Sequence, residues 1–203
     1  MIAVVDYGMG NLRSVANAIE ATGAGAGARV TCLPEDIRAA SHVVLPGVGA
    51  FSSCINNLRA TGLVDVLDEE VRGRGKPFLG ICLGMQLLAA ESEEGGSVAG
   101  LGWLAGRIRR FEDGPSLRVP HMGWNDVTPA SGSPMFRGIR HPTFFFVHSY
   151  YLPVDDRAAI AARCEYGTSF AAALLHENIW ATQFHPEKSQ LNGQRLLQNF
   201  LEQ

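Results

Sequence analysis

One cysteine of the chain lies in the middle of a glycine-flanked pentapeptide, GICLG, at residues 80–84. The preceding residues 76–79 are predicted to form a short buried strand, and residues 85–90 to open a helix. A glycine two positions before and after a nucleophile is typical of a sharp strand-to-helix turn, which exposes the central side chain. A thiol at a helix N-terminus is favoured as the thiolate, so Cys82 is a candidate nucleophile. The alternative is a buried structural cysteine beside two loop glycines.

A histidine and a carboxylate follow a second apolar run, at residues 179–184. Pro186 favours an extended backbone at His185, and side chains two positions apart in an extended segment point the same way. The Glu187 carboxylate can therefore hold the His185 ring, which gives the base and the orienting group that a cysteine nucleophile requires. A satisfied histidine beside a Pro-Glu turn is the alternative interpretation. Because both segments end predicted strands, we expect Cys82, His185 and Glu187 to form a catalytic triad.

The composition is that of a soluble globular protein, with 203 residues of which 46% are hydrophobic and 18% charged. We expect one domain spanning residues 1–203. The net charge is -3 and no long basic run occurs, which argues against nucleic acid as a partner. No stretch approaches the ~20 apolar residues of a membrane span, and the N-terminus lacks a signal-peptide pattern. We therefore expect a cytoplasmic protein that contacts no membrane.

The four cysteines are widely spaced and include no C-x-x-C pair. This spacing argues against both a disulfide framework and a zinc site, so no metal ion is expected. Cys32, Cys54 and Cys164 are interpreted as small hydrophobic residues of the core.

Strand and helix patterns alternate in the first half of the chain and predict a parallel sheet with helices on both faces. Predicted strands without long helices between them follow from about residue 100, with a turn near residues 177–178. We expect an α/β fold: a single-domain, flavodoxin-like open twisted sheet, mostly parallel with an antiparallel extension. A loop is predicted at residues 21–28 and a final helix at 191–201. The predicted strands cover residues 2–5, 29–33, 42–45, 76–79, 101–111, 144–150, 158–166 and 171–184.

Ligands of an open α/β sheet bind outside the carboxyl ends of its strands. Three predicted ends carry informative residues, namely PGVG at 46–49, the Cys82 turn, and HPE at 185–187. The segment GMG at 8–10 also follows a strand, but it lacks the third glycine and the acidic residue of a dinucleotide-binding site. We reject a dinucleotide site there.

The segments GICLGMQ at 80–86 and HPE at 185–187 resemble those of the class I (triad) glutamine amidotransferases. A closer resemblance runs from end to end of the chain, to the glutaminase subunits of imidazole glycerol phosphate synthase in histidine biosynthesis. It is carried by DYGMGNL at 6–12, PGVG at 46–49, PHMGWN at 120–125, HSY at 148–150 and QFHPEKS at 183–189.

The resemblance implies roles for residues at the three strand ends. Cys82 attacks the side-chain carboxamide of glutamine, leaving a thioester; His185 protonates the departing ammonia and then activates water, and Glu187 orients His185. The backbone N–H groups of Val48 and Leu83 form the oxyanion hole. No cofactor is implied. The residues implied to hold glutamine are Gly49, Gln86, His148, Ser149 and Tyr150.

The resemblance also implies a partner, a cyclase subunit of (β/α)8-barrel fold that forms a heterodimer with this chain. The implied contacts are Asn11, Met122 and Trp124; Met and aromatic residues are enriched at interfaces. Ammonia released into neutral water is mostly protonated and no longer a nucleophile, so a dry channel to the partner preserves its reactivity. The partner would use it to form imidazole glycerol phosphate and aminoimidazole carboxamide ribotide.

Three other functions stay open at this point. A glutaminase of the same class could serve another synthase, such as that of pyridoxal phosphate or anthranilate, although residues 6–12 and 120–125 argue against it. A stand-alone cysteine hydrolase of γ-glutamyl peptides would be fully active without a partner. A non-catalytic flavodoxin-like binding module would be expected to lose the triad, which this chain retains.

Overall fold

The computed structural model describes residues 1–23, 27–114, 117–154 and 159–203. The first seven strands are β1 (Ile2–Val5), β2 (Ala28–Thr31), β3 (His42–Gly47), β4 (Phe78–Cys82), β5 (Ala89–Ser92), β6 (Val98–Ala99) and β7 (Leu104–Arg110). The other strands are β8 (His121–Asp126), β9 (Thr128–Pro129), β10 (Thr143–His148), β11 (Tyr150–Tyr151), β12 (Ile160–Tyr166), β13 (Thr168–His176) and β14 (Ile179–Thr182). The helices are α1 (Leu12–Glu20), α2 (Pro34–Ala39), α3 (Phe51–Ala60), α4 (Leu63–Leu67), α5 (Leu83–Gln86) and α6 (Gln190–Leu201). A π-helical segment (Asp68–Gly73) continues α4, and 3-10 turns cover Pro134–Phe136 and Pro186–Lys188.

Eight strands form the main sheet, in the order β2-β1-β3-β4-β14-β13-β12-β9. The first five are parallel, and β13, β12 and β9 extend the sheet with antiparallel pairing. With β14 taken as the fifth parallel strand, this is the strand order of flavodoxin-like folds. The register pairs Gly47 with Cys82 and Ile81 with Thr182, so the carboxyl ends of β3, β4 and β14 meet at one edge. The predicted fold class is confirmed.

Side chains of β1 alternate between two cores, because successive residues of a strand point to opposite faces of the sheet. Ile2 and Val4 pack in the core that contains the buried residues of α1 and α6. Ala3 and Val5 pack in the core shared with α2, α3 and α4. Helices therefore cover both faces, as predicted. Among the described residues, no helix has both the length and the apolar character needed to cross a membrane.

Two predicted strands lie outside the main sheet. The strand predicted at 101–111 is β7, which joins β11, β5 and β6 in a separate four-stranded sheet. The strand predicted at 144–150 is mostly β10, which pairs with β8 in a two-stranded sheet. The prediction that both extend the main sheet is wrong, because the apolar pattern of a strand sets which face is buried but leaves its neighbours open.

The turn predicted near residues 177–178 is confirmed, since Glu177 has φ 51 between the antiparallel strands β13 and β14. The predicted final helix is also confirmed, as α6. Residues 24–26 of the predicted loop and residue 158 of a predicted strand lie outside the described residues.

The helix predicted at residues 85–90 is wrong beyond its first turn. α5 ends at Gln86, and β5 begins at Ala89. The carbonyl groups of residues 87, 88, 89 and 90 accept hydrogen bonds from the N–H groups of Leu101, Leu104, Gly102 and Gly100, respectively. These partners, ten or more positions along the chain, replace the local hydrogen bonds that a longer helix would need. A continuous apolar run does not by itself distinguish a helix from a strand.

The expectation that three cysteines pack in the core holds for Cys54 and Cys164, which are buried, and is wrong for Cys32, which is exposed. Cys32 follows β2, the outermost parallel strand of the main sheet. In the described part of the chain, no strand lies beyond β2 in the main sheet, so the chain is open to solvent on that side of β2.

A buried ion pair connects the segment before β4 to its surroundings. The Lys76 Nζ lies 2.7 Å from Glu70 Oε2, and the Glu70 side chain is only 2% exposed. Lys76 also donates hydrogen bonds to the Ile37 and Arg38 carbonyls, at 2.7 and 2.8 Å. The ammonium thus joins the π-helical segment to the end of α2, immediately before the strand that carries Cys82.

Replacing this lysine is expected to destabilise the fold strongly. Lys76→Met retains an apolar stem but leaves the buried Glu70 carboxylate without its closest cation, so the free energy of unfolding should fall by about 3 kcal/mol. Urea unfolding followed by circular dichroism measures the loss. Arg72→Met is the matched control: its ion pair with Asp68 is about half exposed, and such pairs contribute only ~0.5 kcal/mol. Equal losses of unfolding free energy in the two variants would contradict the stabilising role assigned to the Lys76–Glu70 ion pair.

Candidate active site

The predicted strand-to-helix turn is present at Cys82. Cys82 is the last residue of β4 and directly precedes α5. Its backbone has φ 54 and ψ -107, a conformation that residues other than glycine rarely adopt. A Cβ atom at Gly84 would lie 1.9 Å from the Leu45 carbonyl oxygen, so only glycine allows α5 to approach β3 this closely. The turn holds the sulfur at the carboxyl edge of the sheet.

The His185 ring and the Glu187 carboxylate meet as the sequence predicts. His185 has the extended backbone expected before proline, with φ -99 and ψ 97. Its Nδ1 lies 2.8 Å from Glu187 Oε1, and the two side chains are 2% and 1% exposed. The Ser189 hydroxyl donates to the His185 carbonyl at 2.6 Å and accepts from the Phe145 N–H at 3.0 Å, which fixes this turn against β10.

The electrostatic environment favours a protonated His185. Burial lowers the pKa of the ring, but the negative charges of Cys82 and Glu187 outweigh burial and raise that pKa to about 10. The His185 Nε2 is buried and makes no hydrogen bond within the described residues. The imidazolium is therefore held by the carboxylate on one side and placed within electrostatic range of the sulfur on the other. The Cys82 Sγ also lies 3.7 Å from Gln183 Nε2 and 3.9 Å from the Val147 carbonyl oxygen.

A cavity of about 340 Å³ opens on the sulfur. Nine of the predicted site residues line it: Val48, Gly49, Cys82, Leu83, Gln86, His148, Ser149, Tyr150 and His185. Glu187 does not line the cavity. A larger concavity of about 710 Å³ is lined by three arginines of β7 and by none of these residues, so the predicted site residues gather in the smaller one. Within the described residues, no group of three or more His, Cys, Asp or Glu side chains could hold a metal ion.

The predicted glutamine-binding residues are connected to one another by hydrogen bonds. Gln86 Nε2 donates to the Tyr150 carbonyl and to Gln183 Oε1, both at 2.9 Å. Both of its amide protons are used, which leaves the Gln86 Oε1 as its only free polar atom for a ligand. His148 Nδ1 lies 2.8 Å from the same Tyr150 carbonyl. Burial lowers the pKa of His148 to about 3, so this ring shapes the pocket without carrying charge.

Four residues that line the cavity were not predicted as site residues: Glu94, Pro120, Val147 and Lys188. Glu94 Oε2 accepts the Phe51 N–H at 2.8 Å, at the first residue of α3. In the sequence it belongs to an acidic run that resembles an ordinary solvated loop. Lys188 lies next to the predicted triad member Glu187, and that adjacency was the available signal. Together they give the cavity one carboxylate and one ammonium, the charges that complement a zwitterionic amino acid.

The two candidate oxyanion donors come from adjacent strands. Val48 directly follows β3, and Leu83 is the first residue of α5. A Cβ atom at Gly47 would lie 2.8 Å from the Gly84 nitrogen and 2.9 Å from the Leu83 Cβ, so the chain before Val48 touches the first turn of α5. The Cys54 thiol donates to the Val48 carbonyl at 3.4 Å and holds the loop from behind.

The three predicted interface residues lie away from the cavity lining. Met122 and Trp124 are 63% and 49% exposed, large values for such apolar side chains. They alternate along β8 with inward-facing residues, so both project from the same face of that strand. Asn11 directly precedes α1 and is partly buried. The exposed pair on β8 has the composition of a contact surface.

Comparison with known proteins identifies the family of the chain. The family described as glutamine amidotransferase class-I matches residues 3–203, and the chain belongs to this family. It is 48% identical to imidazole glycerol phosphate synthase subunit HisH of Syntrophotalea carbinolica, over 98% of each chain. It is 47% identical to subunit HisH 2 of Pseudomonas aeruginosa, over 100% of this chain and 99% of that one. Within the class, the chain belongs with these HisH subunits.

Solved structures of low sequence identity share the fold. A crystal structure of glutamine amidotransferase superposes with a TM-score of 0.76 at 20% identity, covering 100% of this chain and 98% of the other. PurLQS from Thermotoga maritima superposes with a TM-score of 0.71 at 18% identity, covering 99% and 97% of the two chains. At these identities the likeness concerns the fold alone.

Proposed function

We propose that the chain hydrolyses glutamine to glutamate and ammonia through Cys82, His185 and Glu187, as the glutaminase subunit of a synthase in histidine biosynthesis. The observation that carries this proposal is the placement of the Cys82 sulfur in a cavity that His185 also lines, with His185 held by Glu187 at 2.8 Å. A whole-chain catalytic domain, residues 1–203, is supported by a main sheet whose strands come from both halves of the sequence.

The reaction has two halves that share one set of groups. The Cys82 thiolate adds to the side-chain carbonyl carbon of glutamine, and the tetrahedral adduct collapses as the C–N bond breaks. His185 gives its proton to the departing nitrogen, so ammonia leaves and a γ-glutamyl thioester remains. His185 then takes a proton from water as the water adds to the thioester, and glutamate leaves as the sulfur is freed. Glu187 keeps the His185 Nδ1 proton in place throughout and stabilises the imidazolium.

The charges of the cavity support one orientation of glutamine. The Glu94 carboxylate and the Gln86 Oε1 would accept hydrogen bonds from the substrate ammonium. The Lys188 ammonium would pair with the substrate carboxylate. The side-chain amide then points at Cys82. Gly49 lines the cavity beside Val48 with φ 103, a backbone conformation that favours glycine.

The oxyanion formed in both halves needs two donors, and we assign them to the Val48 and Leu83 N–H groups. Leu83 opens α5, where the first N–H groups have no partner within the helix. Gly47 and Gly49 flank Val48, so the peptide group that carries the Val48 N–H can flip. The complete hole would then form on activation.

Removing the Val48 donor is expected to slow the reaction without unfolding the chain. Val48→Pro replaces the N–H by a ring carbon, so kcat for glutamine hydrolysis should fall by roughly 10²- to 10³-fold, the usual loss for one oxyanion donor. Val48→Ala is the matched control, because it shortens the side chain but retains the N–H. Steady-state ammonia release measures both. A proline variant as fast as the alanine variant would refute the assignment.

The ammonia is proposed to pass to a cyclase subunit of (β/α)8-barrel fold in a heterodimer. The names of the relatives support a partner subunit, and the exposed pair Met122 and Trp124 supports a docking surface on β8, with Asn11 as a third contact. The cyclase would close the imidazole ring with this ammonia. A cytoplasmic location is proposed as well, supported by the four free cysteines.

The test of this function is glutamine hydrolysis with and without the candidate cyclase and its nucleotide ligand. We expect slow turnover by the chain alone and a large increase when the cyclase and its ligand are both present. A full rate without any partner would favour the stand-alone hydrolase. A rate that no cyclase changes, but that another synthase subunit raises, would favour a glutaminase of another pathway.

A further inference from the structure

A row of hydrogen bonds runs from β8 to the glutamine cavity. Asn125 Nδ2 lies 3.2 Å from His121 Nε2. His121 Nδ1 lies 2.9 Å from His148 Nε2, and His148 Nδ1 lies 2.8 Å from the Tyr150 carbonyl oxygen. The antiparallel register of β8 and β10 places His121 directly opposite His148. Both rings are buried, with His121 3% exposed.

The direction of every bond in this row is fixed by its two ends. A carbonyl oxygen can only accept, so His148 Nδ1 carries a proton and His148 Nε2, on a neutral ring, accepts. His121 Nδ1 must then donate, which leaves His121 Nε2 to accept from the Asn125 amide. Burial lowers the pKa of His121 to about 4 and that of His148 to about 3, so both rings are neutral near pH 7. One tautomer of each ring satisfies the whole row.

The row continues on the other side of the Tyr150 carbonyl. That oxygen also accepts from Gln86 Nε2, and Gln86 donates its second proton to Gln183 Oε1. Gln183 Nε2 in turn lies 3.7 Å from the Cys82 sulfur. The position of the Tyr150 carbonyl therefore affects both the cavity wall and a contact of the nucleophile.

The His121 ring is held by packing as well as by its hydrogen bonds. It stacks against Phe146 at 4.7 Å and against Tyr166 at 4.0 Å between ring centroids. Its neighbours Met122 and Trp124 point the other way along β8, towards solvent. His121 thus lies beneath the exposed pair and connects β8 to the cavity.

We propose that His121 is a positioning residue for the glutamine pocket: its Nδ1–H fixes the tautomer of His148, which holds the Tyr150 carbonyl and through it Gln86. This inference rests on the proposed glutaminase function only for its kinetic consequence. Without the His121 donor, the His148 Nε2 would be a buried acceptor with no partner, which favours a shift of the ring towards another donor and weakens its hold on the Tyr150 carbonyl.

Two substitutions at His121 separate the donor from the ring. His121→Phe retains a flat ring between its stacking neighbours but removes the donor. His121→Asn restores an amide N–H near the position of Nδ1. We expect the phenylalanine variant to raise KM for glutamine about tenfold, the cost of one buried hydrogen bond, with a smaller change in kcat. The asparagine variant should recover most of this loss, both in the chain alone and with the candidate cyclase.

Phe146→Leu is the control for packing, since it disturbs the same stack without touching the hydrogen bonds. It should lower the melting temperature and leave KM unchanged. The positioning role is overturned if His121→Phe leaves KM as in the wild type, or if Phe146→Leu and His121→Asn raise KM as much as His121→Phe does.

A second measurement does not depend on activity or on any variant folding. Two-dimensional ¹H–¹⁵N NMR of the unmodified chain should show His148 with its proton on Nδ1, and His121 likewise. A proton on His148 Nε2 would overturn the inference whatever the kinetics. A chain that has the expected tautomers but does not hydrolyse glutamine would instead count against the proposed function alone.

Discussion

Cys82→Ala is expected to abolish glutamine hydrolysis while the chain still folds. The proposed thioester has no other sulfur to form on, because Cys82 is the only cysteine that lines the cavity beside His185. Removal of a catalytic nucleophile typically lowers kcat by about 10⁴-fold or more. Ammonia release, measured with the candidate cyclase present, reports the loss, and the melting temperature reports the fold.

The matched control is Cys164→Ala, which removes another buried thiol from β12, far along the main sheet from β4. This variant should retain the wild-type rate. Substantial hydrolysis by Cys82→Ala would end the mechanism proposed for this site, since no step could then pass through the cysteine.

Glu187→Gln is expected to have the second-largest effect. The side chain keeps its size and can still accept from His185 Nδ1, but it loses the charge that helps to raise the pKa of His185. The imidazolium that protonates the leaving ammonia becomes less stable, and an amide can also hold the wrong tautomer. For a comparable orienting carboxylate the loss in kcat is about 10⁴-fold, so a fall of roughly 10³- to 10⁴-fold is expected.

The pH dependence of the hydrolysis rate tests the direction of the pKa change in Glu187→Gln. Because the negative charge of Glu187 raises the pKa of His185, its removal must lower that pKa. The falling, basic limb of the pH–rate profile should therefore move to lower pH in Glu187→Gln. An unchanged limb, or one that moves to higher pH, would show that Glu187 does not stabilise the protonated ring. Glu202→Gln, an exposed carboxylate on the last turn of the chain, should change neither rate nor profile.

Much of the fold could be predicted because the parallel strands carry local signals. The runs at β1, β3 and β4 are apolar at nearly every position, as strands buried on both faces must be. Gly80 and Gly84 predict the turn at Cys82, and Pro186 predicts the extended backbone of His185. Each of these residues limits the backbone at its own position, so the neighbouring sequence contains the necessary information.

The remaining features depend on partners distant in sequence. The chain leaves α5 after one turn because carbonyl groups of residues 87–90 bond to residues 100–104. The place of Glu94 in the cavity depends on the start of α3, which its carboxylate caps. The link between His121 and His148 depends on the register of β8 against β10. Neither the apolar pattern nor residue propensity specifies such pairings, which are set by the folded chain as a whole.

The central claim is that the Cys82 sulfur bonds to the γ-carbonyl of glutamine during turnover. Acid quenching of the chain during turnover with the candidate cyclase, followed by mass spectrometry of its peptides, tests this directly. The account predicts a glutamyl adduct on the peptide that contains Cys82, dependent on glutamine and absent in Cys82→Ala. Steady turnover with no adduct on that peptide, or with the adduct on the peptide of Cys32, Cys54 or Cys164, would contradict it.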